Sequence, residues 1–381
     1  MWAFVRKNLI VLILAVLTSY LFNEITFASA TGNNKDSTNK GKAKVSVDNA
    51  GTPELGKYQA KVLVKAFNPI SNDSLKLEVG TSSKPERSRS IAIDYMKKLN
   101  SYGTSANLSG SYAENNPYEV PGAKYSVSAA LKGKLKQYLV LNNDCNVKLE
   151  LAAQQSYIKE YQKALKTKEY KYVMGSFGGK IKFVDPLAIE NRLQPYYNWS
   201  LSKVSYAAQD CDKNFNYFTF NWDREQPLFS NVSLFLKASY QRTNKLLPPE
   251  HRYAVGTEHT SRGYMPGVVS GDQGITGVVE LRRKKEFKNE KIKEGTAFIF
   301  YDITHFIQHN KDANRTKHHG AMYFNKSTLP AAGVGFKLSF VREFYLDVTA
   351  EYPLQKSMAV NGEKKKNKPI YRFLIKKEFH W

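Results

Sequence analysis

An all-β, membrane-spanning antiparallel barrel of about sixteen strands is the fold class expected of this chain. Three observations carry that expectation. The chain opens with a secretory pattern: Arg6 and Lys7 precede the apolar run 9–17, and Ala28, Ser29 and Ala30 offer a small-residue cleavage site. Beyond Phe27 no run of about 18 apolar residues occurs, so an exported chain that enters a membrane must cross it as strands. Segments of about ten residues then alternate apolar and polar side chains up to the last residue, Trp381.

Composition narrows the class. The chain has 57 Lys and Arg against 34 Asp and Glu, a formal net charge of +23. Mean hydropathy is −0.49, which excludes a bundle of several membrane helices yet suits a barrel, whose apolar residues fall at every second position. Such charge points to nucleic acid, an anionic membrane surface or an acidic substrate; a lysine-rich genome bias explains it equally well. Export removes nucleic acid from the expected partners. Two cysteines, Cys145 and Cys211, imply no disulfide framework.

Residues 1–30 are expected to be a signal peptide. Residues 31–54, rich in Gly, Asn, Lys, Ser and Thr, bury too little surface to offset the entropy of ordering and are expected to form a flexible linker. The barrel is expected over 55–381. Tyr58, Ala60, Val62, Val64 and Ala66 share one parity and Lys57, Gln59, Lys61 and Lys65 the other, as in a strand with one apolar face. The pattern returns around Leu77, Ile93, Leu108 and Val127, with turn-rich stretches such as 68–73 and 115–117 between. Residues 147–160 fit a strand or a helix; their alternating flanks favour the strand. Further strands follow around Phe220, Leu236, Phe300, Phe336 and Val348.

A soluble β-sandwich also alternates. The segments here are longer than the usual five or six residues of soluble strands, and aromatics cluster near their ends as in a membrane-interface girdle. At the C-terminus Tyr371, Phe373, Ile375, Phe379 and Trp381 share one parity, broken only by Lys377. This stretch resembles the closing strand of outer-membrane barrels. The resemblance gives Phe379 and Trp381 the role of a signal read by the barrel assembly machinery. With the first strand rising from the periplasm, 307–328 and 355–369 fall outside and Val341, Arg342 and Glu343 make a periplasmic turn. The same count puts Cys145 outside and Cys211 in a periplasmic turn, so the two are not expected to pair.

No enzyme constellation emerges. His318 and His319 lie in an expected outer loop without metal-ligand spacing, and neither a Gly-x-Ser-x-Gly elbow nor a phosphate-binding loop is present. No catalytic residue, metal or cofactor is expected.

Residues 261–281, SRGYMPGVVSGDQGITGVVEL, read as a glycine-shaped loop leading into a strand. They resemble the inward-folded sixth loop of two-partner secretion transporters, the ShlB/FhaC/HecB haemolysin secretion/activation family. Arg262, Gly263 and Tyr264 match the loop tip. Ser270, Gly271, Asp272 and Gly274 match the turn, and Glu280 and Leu281 the strand. Ser261 stands where the family more often has Val. Asp302, in AFIFYDITHF, matches the family's aromatic-x-Asp-x-Gly strand, with Thr304 in place of the glycine. By this resemblance Arg262 folds inside the barrel and pairs with Asp302, with Glu280 nearby; in a wet lumen such a pair is expected to contribute on the order of 1 kcal/mol. Residues 56–79, 236–256 and 331–354 also resemble the family, whereas 140–215 match weakly.

The resemblance implies an outer-membrane translocator of a large haemolysin- or adhesin-like partner, acting without cofactor. Its expected partners are that secreted protein, the assembly machinery, and outer-membrane lipid and lipopolysaccharide. The family normally carries a plug helix and two periplasmic POTRA domains, for which 31–54 is too short, so the barrel part alone is expected. The alternatives are a porin-like passive channel, whose Lys57, Lys61, Lys65 and Lys76 would favour anions, and a structural surface barrel.

Overall fold

In the computed structural model the described residues are 41–52, 55–68, 73–116, 125–141, 144–162, 165–205, 211–256, 260–266, 270–287, 291–309, 326–355, 357–360, 363–366 and 368–381. The expected signal peptide and the pair His318 and His319 lie outside them. Sixteen strands close one antiparallel barrel in which every strand pairs with its neighbour in the chain. They are β1 Gly41–Asp48, β2 Gln59–Asn68, β3 Asp73–Ser82, β4 Ser88–Lys98, β5 Ser105–Asn115, β6 Tyr125–Leu141, β7 Cys145–Gln162 and β8 Leu165–Val184. The second half is β9 Glu190–Ser200, β10 Asn216–Phe229, β11 Val232–Arg242, β12 Gln273–Glu286, β13 Ile292–Ile307, β14 Lys326–Phe340, β15 Phe344–Pro353 and β16 Ile370–His380. Closure leaves no sheet edge, which is the condition for strands to sit in hydrocarbon.

Alternation decides which side chains face the lumen. On β13, Phe298, Phe300, Asp302, Thr304 and Phe306 are buried, while Ile299, Tyr301 and Ile303 are exposed, Ile299 by 56%. Paired residues share a face, so Val279 and Leu281 opposite Tyr301 and Ile299 also point outward and are exposed. Leu108, Leu131 and Leu135 continue this outer apolar surface on β5 and β6. Residues 147–160 are strand, inside β7.

The expected linker 31–54 is corrected where it is described, because Gly41–Asp48 is the first barrel strand. Its apolar residues Ala43, Val45 and Val47 are small and separated by Lys44 and Ser46, so locally they resemble linker. Their strand state comes from partners at both ends of the barrel: β1 pairs with β2 and, from Lys42 opposite His380 to Asp48 opposite Leu374, with β16. Trp381 completes the seam through Gly41 N–H to Trp381 O at 3.0 Å and the reciprocal bond at 3.3 Å.

The ends assigned to the cysteines are also reversed. Cys145 opens β7 at the end that carries the short turns and Trp381, whereas Cys211 lies between β9 and β10 at the opposite end, buried with Tyr172, Phe215 and Leu247. Leaving β1 out of the strand count inverts the end assigned to these connections. Neither cysteine is in a disulfide.

Deleting 41–48 should abolish the compact, heat-modifiable species on a gel, because both β2 and β16 would become edges. A chain without this segment that still shows the shifted band would contradict the seam.

Candidate functional site

The segment between β11 and β12, described over 243–256, 260–266 and 270–272, does not stand outside the barrel but packs against its inner wall. Two apolar clusters hold it. Leu247 joins Tyr170, Tyr172, Met174, Phe215 and Tyr217, and nearer the tip Val255 and Tyr264 join Phe306, Leu329 and Ala331. The loop thus brings apolar side chains into the space enclosed by the barrel.

At the loop base the expected turn residues act together. Asp272 is fully buried, and its carboxylate accepts from the N–H of Leu247 and of His309, each at 2.8 Å. Gln241 on β11 donates to the carbonyl of Asp272 at 3.0 Å and of His251 at 2.8 Å. Gly271 pairs with Tyr253 in a two-residue ladder. At Gly274 a Cβ would lie 2.2 Å from the Tyr253 ring, so the aromatic occupies the volume a side chain would need. Tyr253 also donates to Thr276 at 2.6 Å.

The tip carries the charge. Arg262 Nε and Nη2 donate to the two oxygens of Asp302 at 2.7 and 2.8 Å, and the Arg262 backbone N–H donates to Asp302 at 3.1 Å. Its Nη1 lies 2.7 Å from Glu280 Oε1, and the guanidinium stacks 3.6 Å over the Phe300 ring. The arginine fork serves both acids, as the resemblance implied. Burial works against the charge, but the bonds and field of Asp302 and Glu280 hold Arg262 protonated above its ordinary range. The expectation of a wet pair is corrected: Asp302 is fully buried and Glu280 is 4% exposed, because the tip itself and the aromatic wall exclude water.

The contacts of Glu351, Arg372 and Ser261 at the tip were missed in the sequence. Glu351 on β15 accepts from the Gly263 N–H at 2.7 Å. Arg372 on β16 donates to Glu351 at 2.8 Å and to the carbonyl of Tyr264 at 2.9 Å. Ser261 N–H donates to Thr304 Oγ1 at 3.0 Å, and its hydroxyl donates to the carbonyl of Leu329 at 2.6 Å. The charged residues at 351 and 372 fall on the inward parity of their strands, a signal that alternation could have supplied. Gly263 adopts φ of 85°, the left-handed region that lets its N–H turn toward Glu351 while Arg262 turns toward Asp302. Tyr264 Oη donates to the Pro330 carbonyl at 2.7 Å.

Deeper along β8 to β10, His251 is enclosed by Tyr172, Phe215 and Tyr217, with Tyr172 Oη 2.8 Å from Nε2 and Tyr217 Oη 3.1 Å from Nδ1. Burial, with Lys132 adding repulsion, pushes His251 down to about 4, so it is neutral at pH 7. Among the described residues Glu343, Glu378 and His380 stand close enough to hold a metal ion. They lie at the rim, where Glu343 already accepts from His380 at 2.8 Å and Glu378 pairs with Lys376 at 2.9 Å.

Arg262→Ala should unseat the tip more than either acid change. It strands Asp302 in a dry site at a cost on the order of 3 to 5 kcal/mol, whereas Asp302→Asn leaves Glu280 for the guanidinium. Protease cleavage within 243–272 of the folded barrel should follow that order, and equal cleavage in both variants would contradict it. A second outcome concerns pH. An unseated His251 takes up a proton near its ordinary 6.5 and the seated one only near 4, so this residue favours seating above pH 6.5 and loses that effect as pH falls toward 4. Glu250, whose carboxyl burial inside the barrel pushes up, works in the opposite sense, so the comparison with His251→Gln isolates the histidine. The loop should become more cleavable at pH 5 in the native chain than in the Gln variant.

The sequence profile of the family described as haemolysin secretion/activation protein ShlB/FhaC/HecB matches residues 33–337, which hold β1, the loop and most of β14. No curated protein matches the sequence. Among solved structures the chain is similar to CdiB from Escherichia coli, with a TM-score of 0.72 at 16% identity over 92% of this chain and 64% of that one. CdiB from Acinetobacter baumannii gives 0.66 at 16% identity over 89% and 60%. BamA from Haemophilus ducreyi lacking POTRA domains 1-3 gives 0.64 at 12% identity over 90% and 70%. These likenesses carry the fold, and the chain spans less than two thirds of either CdiB chain. By the family match, on a closed barrel with an arginine-tipped loop seated inside it, the chain belongs to the ShlB/FhaC/HecB haemolysin secretion/activation family of the bacterial outer membrane.

Proposed function

We propose that this barrel translocates a large secreted partner protein, in extended form, through its lumen, and that the loop 243–272 must leave its seat to open the way. The observation that carries the reading is the buried Arg262, Asp302 and Glu280 constellation, which adds a charged contact to the apolar cluster that holds the loop tip against the wall. Polar contacts in a dry seat are strong while made and are replaced by water once the seat floods, so the loop has two distinct states. A passive pore asks for a standing passage, whereas here the loop packs inward on two apolar clusters. Residues 55–381, with β1 added, act on this reading as the translocation unit.

Phe379 and Trp381 are read as the stretch that the assembly machinery engages. Phe379 stands opposite Ala43 and Trp381 opposite Gly41, so engagement of these residues would precede closure by β1. The outward apolar surface is read as the contact with lipid and lipopolysaccharide.

A reversible tether tests the moving loop. A Cβ at Gly263 would lie 3.4 Å from the Ala331 Cβ, close to disulfide geometry. With Cys145 and Cys211 replaced by Ser, Gly263→Cys and Ala331→Cys should stop release of a secreted protein encoded beside this chain under oxidising conditions and restore it on reduction to the level of Gly263→Cys alone, the reference because a side chain at this φ is itself strained. Undiminished release by the oxidised, cross-linked barrel would sink the reading.

A further inference from the structure

We propose that the inner wall of β1–β8 is a docking surface for an acidic, extended polypeptide. The inward face can be followed around the barrel by register. Arg372 reaches the enclosed loop, so Glu378 on the same parity of β16 also faces inward; opposite it is Lys44, and Ser46 on that face is opposite Lys61. Lys65 stands opposite Lys76, Lys76 opposite Asp94, and Asp94 opposite Ser109, which in turn faces Lys132. Lys136 stands opposite Glu150, and Lys148 opposite Lys180.

Some of these cations are matched: Lys76 pairs with Glu78, and Lys134 and Lys148 share Glu150. Lys44, Lys61, Lys65, Lys132, Lys136 and Lys180 have no carboxylate within 4.0 Å among the described residues. The far wall differs. There Arg192 meets Asp223 at 3.6 Å, Arg282 meets Glu225 at 3.1 Å and Lys337 meets Asp347 at 3.5 Å. Among the described residues, the lysines without an acid within 4.0 Å named here all lie on β1–β8. A cavity of about 410 Å³ opens on that side, lined by Lys132, Lys134 and Lys180 and by two acids already engaged, Glu150 with Lys134 and Lys148 and Glu250 with Tyr172.

Like charges on one wall repel, and low-dielectric surroundings focus their field into the lumen. A partner with carboxylates spaced along an extended chain would relieve the repulsion by displacing small counterions. Lysine suits such a partner, because its compact ammonium on a flexible stem makes exchangeable point contacts and not a fixed bidentate fork. The position on the inner face, away from lipid, favours a polypeptide over a lipid phosphate. The direction of travel, from the short-turn end, rests on the translocator reading; the binding itself does not.

The test uses the full chain in detergent and fluorescein-labelled deca-glutamate followed by anisotropy. Deca-glutamate should bind, a neutral Gly-Ser peptide of equal length should not, and affinity should fall as ionic strength rises from about 0.05 to 0.3 M, where the screening length shortens. Lys132→Gln, Lys136→Gln and Lys180→Gln together should weaken binding by about tenfold or more, while Lys203→Gln with Lys213→Gln, in the exposed loop before β10, should leave it unchanged. Binding equal to that of the neutral peptide, or unaffected by the triple change, would overturn the proposal. So would purified lipopolysaccharide binding that depends on these lysines when deca-glutamate does not bind. The assay contains no transport step, so its failure leaves the translocator reading standing, and failure of the tether experiment leaves this proposal standing.

Discussion

One guanidinium kept charged in a dry place organises the inside of this barrel. Arg262 loses water on entering the wall and is compensated by two carboxylates and an aromatic face. Against a well-packed apolar substitute such a triad gains little net stability, but removing one member leaves a buried charge with nothing to answer it. Its value is therefore discrimination: an arginine at this tip has a low-energy position only where Asp302 and Glu280 converge. The rest of the loop follows from that constraint. Gly263 is needed because the two backbone N–H groups beside the arginine must serve different acids, Asp302 and Glu351, from adjacent residues.

The seat spans more of the barrel than the arginine alone. Asp302 and Glu280 belong to β13 and β12, while Glu351 and Arg372 belong to β15 and to the closing strand β16. The tip is thereby tied to strands on both sides of β14, whose Leu329 and Pro330 carbonyls accept from Ser261 and Tyr264. Two departures from the family pattern explain each other here. Ser261 and Thr304 are in contact, and the Thr304 hydroxyl that takes the Ser261 N–H also bonds Thr276 at 2.7 Å. A hydroxyl at 304 gives the loop backbone an acceptor, and a hydroxyl at 261 uses a β14 carbonyl that a Val would leave to other partners.

What was legible in the sequence was what repeats or what lies close in the chain. Alternation on β2–β5 and β11–β16 and the arginine, glycine and aromatic at 262–264 are local patterns, and each was readable without a partner in view. The first strand was not, because Gly41–Asp48 has the composition of a linker and becomes a strand through β16, more than 320 residues away. The same limit hid Glu351 and Arg372. Each is an ordinary inward-facing charge until the loop, about 88 and 108 residues distant, is laid beside it. The dryness of the ion pair was misjudged for a related reason: water exclusion at Asp302 is produced by the docked tip, which no strand pattern contains.

The separation of charge inside the lumen then acquires a physical sense. The acids that matter most to the loop, Asp302, Glu280 and Glu351, are consumed by Arg262, Arg282 and Arg372, all with forked side chains that fix geometry. On the inner face of β1–β8 the cations named above are lysines, several of them without an acid in reach among the described residues. Arginine is thus used where a contact has to be held in one arrangement, and lysine where charge is displayed without a fixed partner. A barrel that alternates between a seated and an unseated loop needs both kinds of site: one whose contacts are made or broken as a unit, and one that attracts without gripping. The net charge of +23 is in this view not spread evenly for solubility but has a component stationed along one face of the passage.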